Sequence, residues 1–507
     1  MDDKKIESLL LSTGKRLQEQ VEQKKVIFIV SNSTVDGVTS SSILFDSIKR
    51  IGGSAIIRCL DSLNYLKLKD SIKCLIEEKH DSYVFLDFDS SIFNDVIDPI
   101  AQDSYFLFIN SDRILDGQEN MNEKENHSYI NINKLNNNSD FNIISTISAV
   151  VYYLLKPFDR KITQRAYLPI VAEISKFSKI NRKKFDEASE QILQTAITLD
   201  LIERKKGLIF VDRQTTTIVD ALENNTSYFI RGLTWNKQAC IEVLKESGIV
   251  FTEKKRMKYL DEFEDEDFDK IVKSIEKFVE KESLQKIQDS NGAITSKNVR
   301  DKLLTFGYIL TNEESNSFLK EAHSFARVLE SCIRRKKFGI ALAISLGDRY
   351  DLVTEVQNQI QDDKRIIKKI GSKIFGEKWR FYEEKEIVFI NGEGVIDEKD
   401  IDQFANLIGA SISFSDKIVC LRTTGTENME MYKYTLINGG TVNLDSETIR
   451  NKIGKFTENQ DLSNIDHSRS KYLSDNGENN IEIIVPVSES EVFLSNLKKI
   501  VMNARIA

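Results

Sequence analysis

Three aspartates, Asp36, Asp87 and Asp140, fall at the ends of apolar runs or just before a helical stretch in the first third of the chain. Carboxylate oxygens are hard donors, and three that converge are the natural ligands of a divalent cation such as magnesium or manganese. Two-metal hydrolysis of a phosphodiester asks for more. It needs a bridging carboxylate and further ligands that hold two ions about 3.5–4 Å apart. Here the set is half empty: the fourth strand-like run ends in Asn110-Ser111-Asp112, and Thr34 stands two residues before Asp36. Amide and hydroxyl groups are weak ligands for such ions. Asp36, directly before Gly37, also suits a turn or a helix cap.

The elements that would position these residues alternate between strand and helix. Val26–Val30 is a short run of β-branched and aromatic residues, the pattern of a buried central strand. A polar turn, Ser31–Gly37, leads into a helix that can start near Thr39. Open α/β sheets place chemistry at this point, outside the carboxyl end of a strand. Further strands are expected at Ala55–Arg58, Tyr83–Phe88, Tyr105–Asn110 and His127–Ile132, with helices at Ser40–Lys49, Leu68–Glu78 and Phe141–Leu155. This gives an α/β fold with a parallel sheet and right-handed crossovers. A lead-in helix over 1–24 precedes it, and the α/β domain runs over 25–160. A helical linker follows over 161–235, then a helical insert and connecting helices over 236–380. Helices are expected at Lys237–Gln288, Asn298–Leu310, Glu313–Arg334 and Asp351–Arg380, the last open to a break at Gly371–Gly376. A second α/β domain occupies 381–507, with Asp461–Asn480 as a polar loop.

Composition narrows the function classes. The chain has 507 residues, 40% hydrophobic and 30% charged, which suits a folded protein of about two to four domains. It lacks an apolar run of about 18 residues, so no membrane contact is expected. The start, MDDKKIESLLLSTGK, does not read as a signal peptide. Five cysteines are far apart and form no C-x-x-C pair, which indicates neither a zinc site nor a disulfide scaffold, and a reducing compartment fits. The net charge of −8 argues against a protein that coats duplex DNA. The acidic stretch Asp261–Asp269 is either a solvated face or a docking surface for a basic partner.

The motif order resembles that of the DHH phosphoesterase superfamily, in the branch that holds the RecJ nuclease, the archaeal GINS-associated nuclease and Cdc45. The family's first motif, His-x-Asp-x-Asp-Gly, is similar to Asn32-Ser33-Thr34-Val35-Asp36-Gly37, and its second to Phe85-Leu86-Asp87-Phe88-Asp89-Ser90. Asn110-Ser111-Asp112 replaces Asp-His-His. Asn131-Ile132-Asn133, Asp140 and Ser145–Leu155 stand for the Asn and Gly/Asp segments. Ile230–Leu233, Glu321–Leu329 and Ala341–Asp348 resemble later family stretches. The last domain resembles the associated DHHA1 domain, with Arg422 on the strand where the family carries an arginine facing nucleic acid. Val442–Leu444 also matches, and Ile465-Asp466-His467 is the nearest remnant of Gly-Gly-His.

The resemblance implies an N-terminal DHH-type parallel-sheet domain, a helical insert and a C-terminal DHHA1-like α/β domain. The departures decide the expected activity. Asn32 and Thr34 replace a histidine and an aspartate, so Asp36, Asp87 and Asp140 form a residual acidic site rather than a catalytic one. The expectation is a non-enzymatic Cdc45-like scaffold that joins GINS and MCM, with single-stranded DNA held weakly in the cleft between the two α/β domains. Thr39, Ser40 and Arg422 are the candidate nucleic-acid contacts. No cofactor is expected; manganese or magnesium enters only under the rival reading, a RecJ-type 5′-exonuclease. A stand-alone single-strand-binding protein is the third reading, disfavoured by charge and by phenylalanines set in core periodicity. The motif style suits an archaeal source, in cytoplasm or nucleoid; in a eukaryote the place is the nucleus.

Overall fold

The computed structural model describes residues 3–61, 65–97, 104–111, 126–136, 144–177, 184–209, 212–225, 228–284, 297–384, 386–414, 417–424, 431–438 and 480–504. The chain divides into two compact units. The first takes residues 1–177, 183–205 and 307–360, and the second takes 178–182, 206–306 and 361–507.

In the first unit β1 (Val26–Asn32), β2 (Ser54–Leu60), β3 (Ser82–Leu86), β4 (Tyr105–Asn110) and β5 (His127–Asn131) form one sheet in the order β2-β1-β3-β4-β5. Every pairing in it is parallel. Alternate residues of the central strands enter different cores. Ile27, Ile29, Val84, Leu86, Leu107 and Ile109 join one, and Phe28, Val30, Tyr83, Phe85, Phe106 and Phe108 the other. A strand buried on both faces has no polar side to show, which is why these runs read as continuously apolar. The first face carries α1 (Asp3–Glu22) and α2 (Val35–Arg50), the second α3 (Tyr65–Glu77). The first face is completed by α4 (Ile147–Leu155), α5 (Tyr167–Phe177), α6 (Glu187–Thr198) and the helices Ala322–Arg334 and Phe338–Leu346.

The second unit has a helical part, whose core draws on Val219, Leu222, Cys240, Leu244, Phe268 and Ile275. After β6 (Ile202–Leu208) the expected helix Lys237–Gln288 is in fact two helices, Lys237–Glu246 and Asp265–Leu284. A small hairpin of β7 (Thr252–Glu253) and β8 (Arg256–Met257) separates them. Gly248 ends the first of them in the left-handed region, at φ +72°. The acidic stretch runs from a short 3-10 turn, Leu260–Glu262, into the second helix, with Asp265, Glu266 and Asp267 at that helix's positive end. The expected helix Asn298–Leu310 is corrected to a helix Lys297–Leu303 and a strand β9 (Leu304–Leu310), because Thr305, Phe306, Tyr308 and Ile309 are strand-forming residues. The helix expected from Glu313 starts only at Ala322, since the polar run Thr311–Ser317 favours turns. Helix Asp351–Gly376 continues through Gly371 without a break. That glycine serves a close approach instead: a Cβ there would run into the Trp235 ring.

The unit's sheet runs β10 (Phe381–Glu383), β11 (Ile387–Asn391), β12 (Ile418–Thr424), β13 (Met431–Asn438), β14 (Asn480–Pro486). The β11–β12 pair is parallel and the others are antiparallel, so the sheet is mixed. Helix Glu398–Gly409 covers one face through Phe404 and Ile408, and helix Ser490–Ala504 the other through Leu497. The architecture is thus the expected one: a parallel-sheet domain, a helical insert and a C-terminal mixed α/β domain. Among the described residues no helix is long and apolar enough to cross a membrane.

Candidate functional site

Strand order changes direction between β1 and β3, and the loops that leave these two strands meet at their carboxyl ends. Asn32 ends β1. Its side-chain amide donates to the Asp87 carbonyl at 2.8 Å, and its side-chain oxygen accepts from the Ser33 amide at 2.7 Å. Thr34 caps α2: its hydroxyl accepts from the Gly37 amide at 2.9 Å and donates to the Asp87 carboxylate. Asp87 itself has φ +66°, a left-handed conformation that aspartate tolerates better than most residues. Gly37 is required by proximity. A Cβ there would collide with the Asn32 carbonyl oxygen, which belongs to the backbone and cannot swing away.

Helix α2 therefore starts at Val35, earlier than expected, and Thr34 rather than Asp36 is its cap. Asp36 sits in the first turn and is 2% exposed. Four donors converge on its carboxylate. Oδ2 accepts from the Ile147 amide (2.9 Å) and the Lys176 ammonium (2.8 Å); Oδ1 accepts from the Ser148 amide (2.9 Å) and the Ser148 hydroxyl (2.8 Å). An ionised carboxylate has about four lone-pair positions, so the group is saturated from within. Two of the donors are backbone amides in the first turn of α4, whose dipole favours a negative charge. Lys176 also donates to the Ser145 carbonyl at 2.8 Å. Burial works against its ammonium, but the charges of Asp36 and Asp87 outweigh it and raise its pKa above the ordinary lysine range.

The polar network extends inward. Ser145 donates through its amide (2.6 Å) and hydroxyl (2.5 Å) to Asp186, which caps α6 through the Ser189 amide at 2.7 Å. Glu173 accepts from the Asp186 amide at 2.8 Å and from the Ser189 hydroxyl. It is 1% exposed, and burial together with the neighbouring Asp186 charge pushes its pKa up to about 7.

The residues expected from sequence fare differently. Asp36 and Asp87 are brought together. Asp112, Asp140, His467 and Val442–Leu444 lie outside the described residues. Asn110 is buried, and its side-chain oxygen accepts from Asn131 (2.8 Å) and Tyr129 (3.1 Å). Thr39 and Ser40 need correcting as phosphate contacts. Both have no exposed surface, because α2 begins four residues earlier than Thr39 and carries them into the core. Thr39 donates to the Val35 carbonyl (2.8 Å) and meets the Ser148 hydroxyl (2.7 Å), and Ser40 donates to the Gly37 carbonyl (3.0 Å). Arg422 lies on β12, with its guanidinium over the Tyr432 ring (4.5 Å) and 3.3 Å from Glu393.

The site residues that the sequence reasoning missed are Lys176, Ser148, Ser145 and Glu173. A signal existed for two of them: Glu173 and Lys176 are charged residues three apart inside the apolar run Leu168–Phe177. A charge in such a run must find a partner on burial.

The motif resemblance to the DHH superfamily implies manganese or magnesium at these strand ends. The described residues do not fit such an ion: Asp36 has its acceptor positions filled, Thr34 holds the Asp87 carboxylate, and the Lys176 ammonium stands 2.8 Å from Asp36. Among the described residues no three His, Cys, Asp or Glu side chains form a group able to hold a metal.

No family model and no curated protein matches the chain. Among solved structures, the chain is similar to Cdc45 from Entamoeba histolytica, with a TM-score of 0.62 at 12% identity over 98% of this chain and 99% of that one. It is also aligned with an exonuclease RecJ bound to manganese (TM-score 0.49, 10% identity, 98% and 94% covered). A third match is RecJ from Thermus thermophilus in complex with Mn2+ (TM-score 0.49, 10% identity, 98% and 55% covered). At such identity the first likeness shows the fold. It is the fold that the motif resemblance to the RecJ and Cdc45 branch of the DHH superfamily implies.

Proposed function

We propose that this protein is a non-catalytic, Cdc45-like scaffold of the replicative helicase, which joins GINS and MCM and holds single-stranded DNA weakly. The observation that carries the non-catalytic part is the saturation of Asp36 by four donors of its own chain. A nuclease ligand must offer free lone pairs to its ions; Asp36 offers them to two amides, a hydroxyl and an ammonium. The scaffold part is supported by the end-to-end likeness to a Cdc45 structure, which covers nearly all of both chains.

The test has two arms. In the first, the protein is incubated with Mn2+ and 5′-labelled single-stranded DNA, with Asp87→Ala as control. The expected result is an intact strand for both. Shortening by the wild type that disappears in the variant overturns the reading in favour of a RecJ-type exonuclease. In the second, the protein is mixed with purified GINS and MCM and run on a sizing column. Co-elution supports the scaffold role, and separate elution from both argues against it.

A further inference from the structure

We propose that the Lys176 ammonium is a built-in counter-cation standing in for a divalent metal beside Asp36 and Asp87, so that removing its charge opens the site to a divalent cation. This rests on the non-catalytic reading above and explains how the fold survives the loss of its metals. Two carboxylates at neighbouring strand ends repel each other, and a buried carboxylate without compensation is costly. The amides of Ile147 and Ser148 and the Ser148 hydroxyl supply dipoles to Asp36. Lys176 supplies the full positive charge, 2.8 Å from Asp36 Oδ2 and close enough for Asp87 to favour its charged form.

The place that the ammonium occupies has the chemistry of a hard-cation site. Its two hydrogen-bond partners are a carboxylate oxygen and the Ser145 carbonyl oxygen, both at 2.8 Å. The Asp87 carboxylate and the Thr34 hydroxyl, bonded to each other, lie at the neighbouring strand end, where the Asp87 charge favours the ammonium. All four are oxygen donors of the kind that Mg2+, Mn2+ and Ca2+ take. Lysine reaches this place from α5, an element that contributes nothing to the DHH-type motifs. The substitution is therefore a charge delivered from a different helix, not a repaired ligand set. Lys176 also explains why the site keeps its acidic residues. With a resident cation, Asp36 and Asp87 still hold the loops after β1 and β3 together, as they would around a metal.

The experiment compares Mn2+ binding by the full chain in wild type, Lys176→Met and the double variant Lys176→Met/Asp36→Asn. Binding is read from the free Mn2+ resonance signal, and thermal midpoints are recorded with and without Mn2+. Methionine keeps the unbranched stem of the side chain and removes its charged end. The expected result is at least tenfold tighter Mn2+ binding by Lys176→Met than by wild type. That binding raises a thermal midpoint that the substitution had lowered, and the double variant loses it. Wild type that binds Mn2+ as tightly as Lys176→Met overturns the proposal, and so does a Lys176→Met chain that binds none, whether folded or not. Cleavage of DNA by wild type breaks the non-catalytic reading. A variant without Mn2+ binding, beside a wild type that leaves DNA intact, breaks this inference alone.

Discussion

The carboxyl end of the parallel sheet and the β12 face of the mixed sheet use charge in opposite ways. At the first, Asp36 is sealed by four donors and Thr39 and Ser40 are turned inward, so the polar groups serve the fold. At the second, Arg422 is a quarter exposed, rests on Tyr432 and meets Glu393 at the long distance of 3.3 Å. A buried carboxylate whose acceptor positions are filled has no lone pair to offer a ligand, whereas a guanidinium with loosely held donors can exchange a carboxylate for a phosphate. On this comparison, substitutions at the parallel sheet change stability, and substitutions at β12 change binding.

The largest effect is expected from Asp36→Ala. It leaves the partly exposed Lys176 ammonium and two amides of α4 without their acceptor, a loss at the lower end of the roughly 3–5 kcal/mol for breaking a buried pair. Urea unfolding followed by circular dichroism measures it. A loss below about 1 kcal/mol would make this end as tolerant as an exposed surface and dissolve the comparison. Gly37→Ala comes next, at about 1–3 kcal/mol for overpacking. The added methyl meets the Asn32 carbonyl oxygen, and relief would shift the β1 end itself.

Glu173 gives the same region a pH signature. Its folded pKa is raised to about 7 by burial and by Asp186, above the ordinary glutamate value of about 4.3. Between these two values the folded chain holds a proton that the unfolded chain has released. Its contribution to stability is thus complete below pH ~4.3 and is lost as pH rises through about 7. Replacing it by Gln, which is neutral throughout, is expected to flatten this fall and to gain on the order of 1–3 kcal/mol at pH 8 relative to wild type. Thermal midpoints from pH 5 to pH 8 test it. Parallel curves for the two proteins would remove Glu173 from the account.

How much of this is legible in the sequence follows from the range of the interactions. The strands of the first sheet and the pairing of Asp36 with Asp87 follow from local apolar runs and their polar ends. So does the presence of a second α/β domain over 381–507. The reach of Lys176 to Asp36 spans 140 residues, and that of Ser148 spans 112, so no local pattern contains them. The start of α2 is ambiguous in sequence because Thr34, Asp36 and Thr39 are all competent caps, and tertiary contacts with Asp87 decide for Thr34. β9 is hidden for a related reason: seven residues after a helical turn cannot be told from more helix by apolar spacing alone.

The smallest expected effect on stability, and the sharpest contrast, is Arg422→Ala. A partly exposed arginine with one ion pair at 3.3 Å and one ring contact contributes about 1 kcal/mol to folding, so its unfolding curve should lie close to that of wild type. Its place in binding is different. If Arg422 contacts a phosphate, its loss weakens binding of a single-stranded oligonucleotide several-fold, uniformly across sequences. It also lowers the slope of log affinity against log salt by about 0.7 for the one contact removed. Glu393→Gln is the companion variant, because it frees the guanidinium from its acidic neighbour and is expected to tighten binding. Fluorescence anisotropy at two or more salt concentrations reads all three proteins. An unchanged salt slope in Arg422→Ala would make this arginine a packing residue for Tyr432 and leave both sheets serving the fold alone.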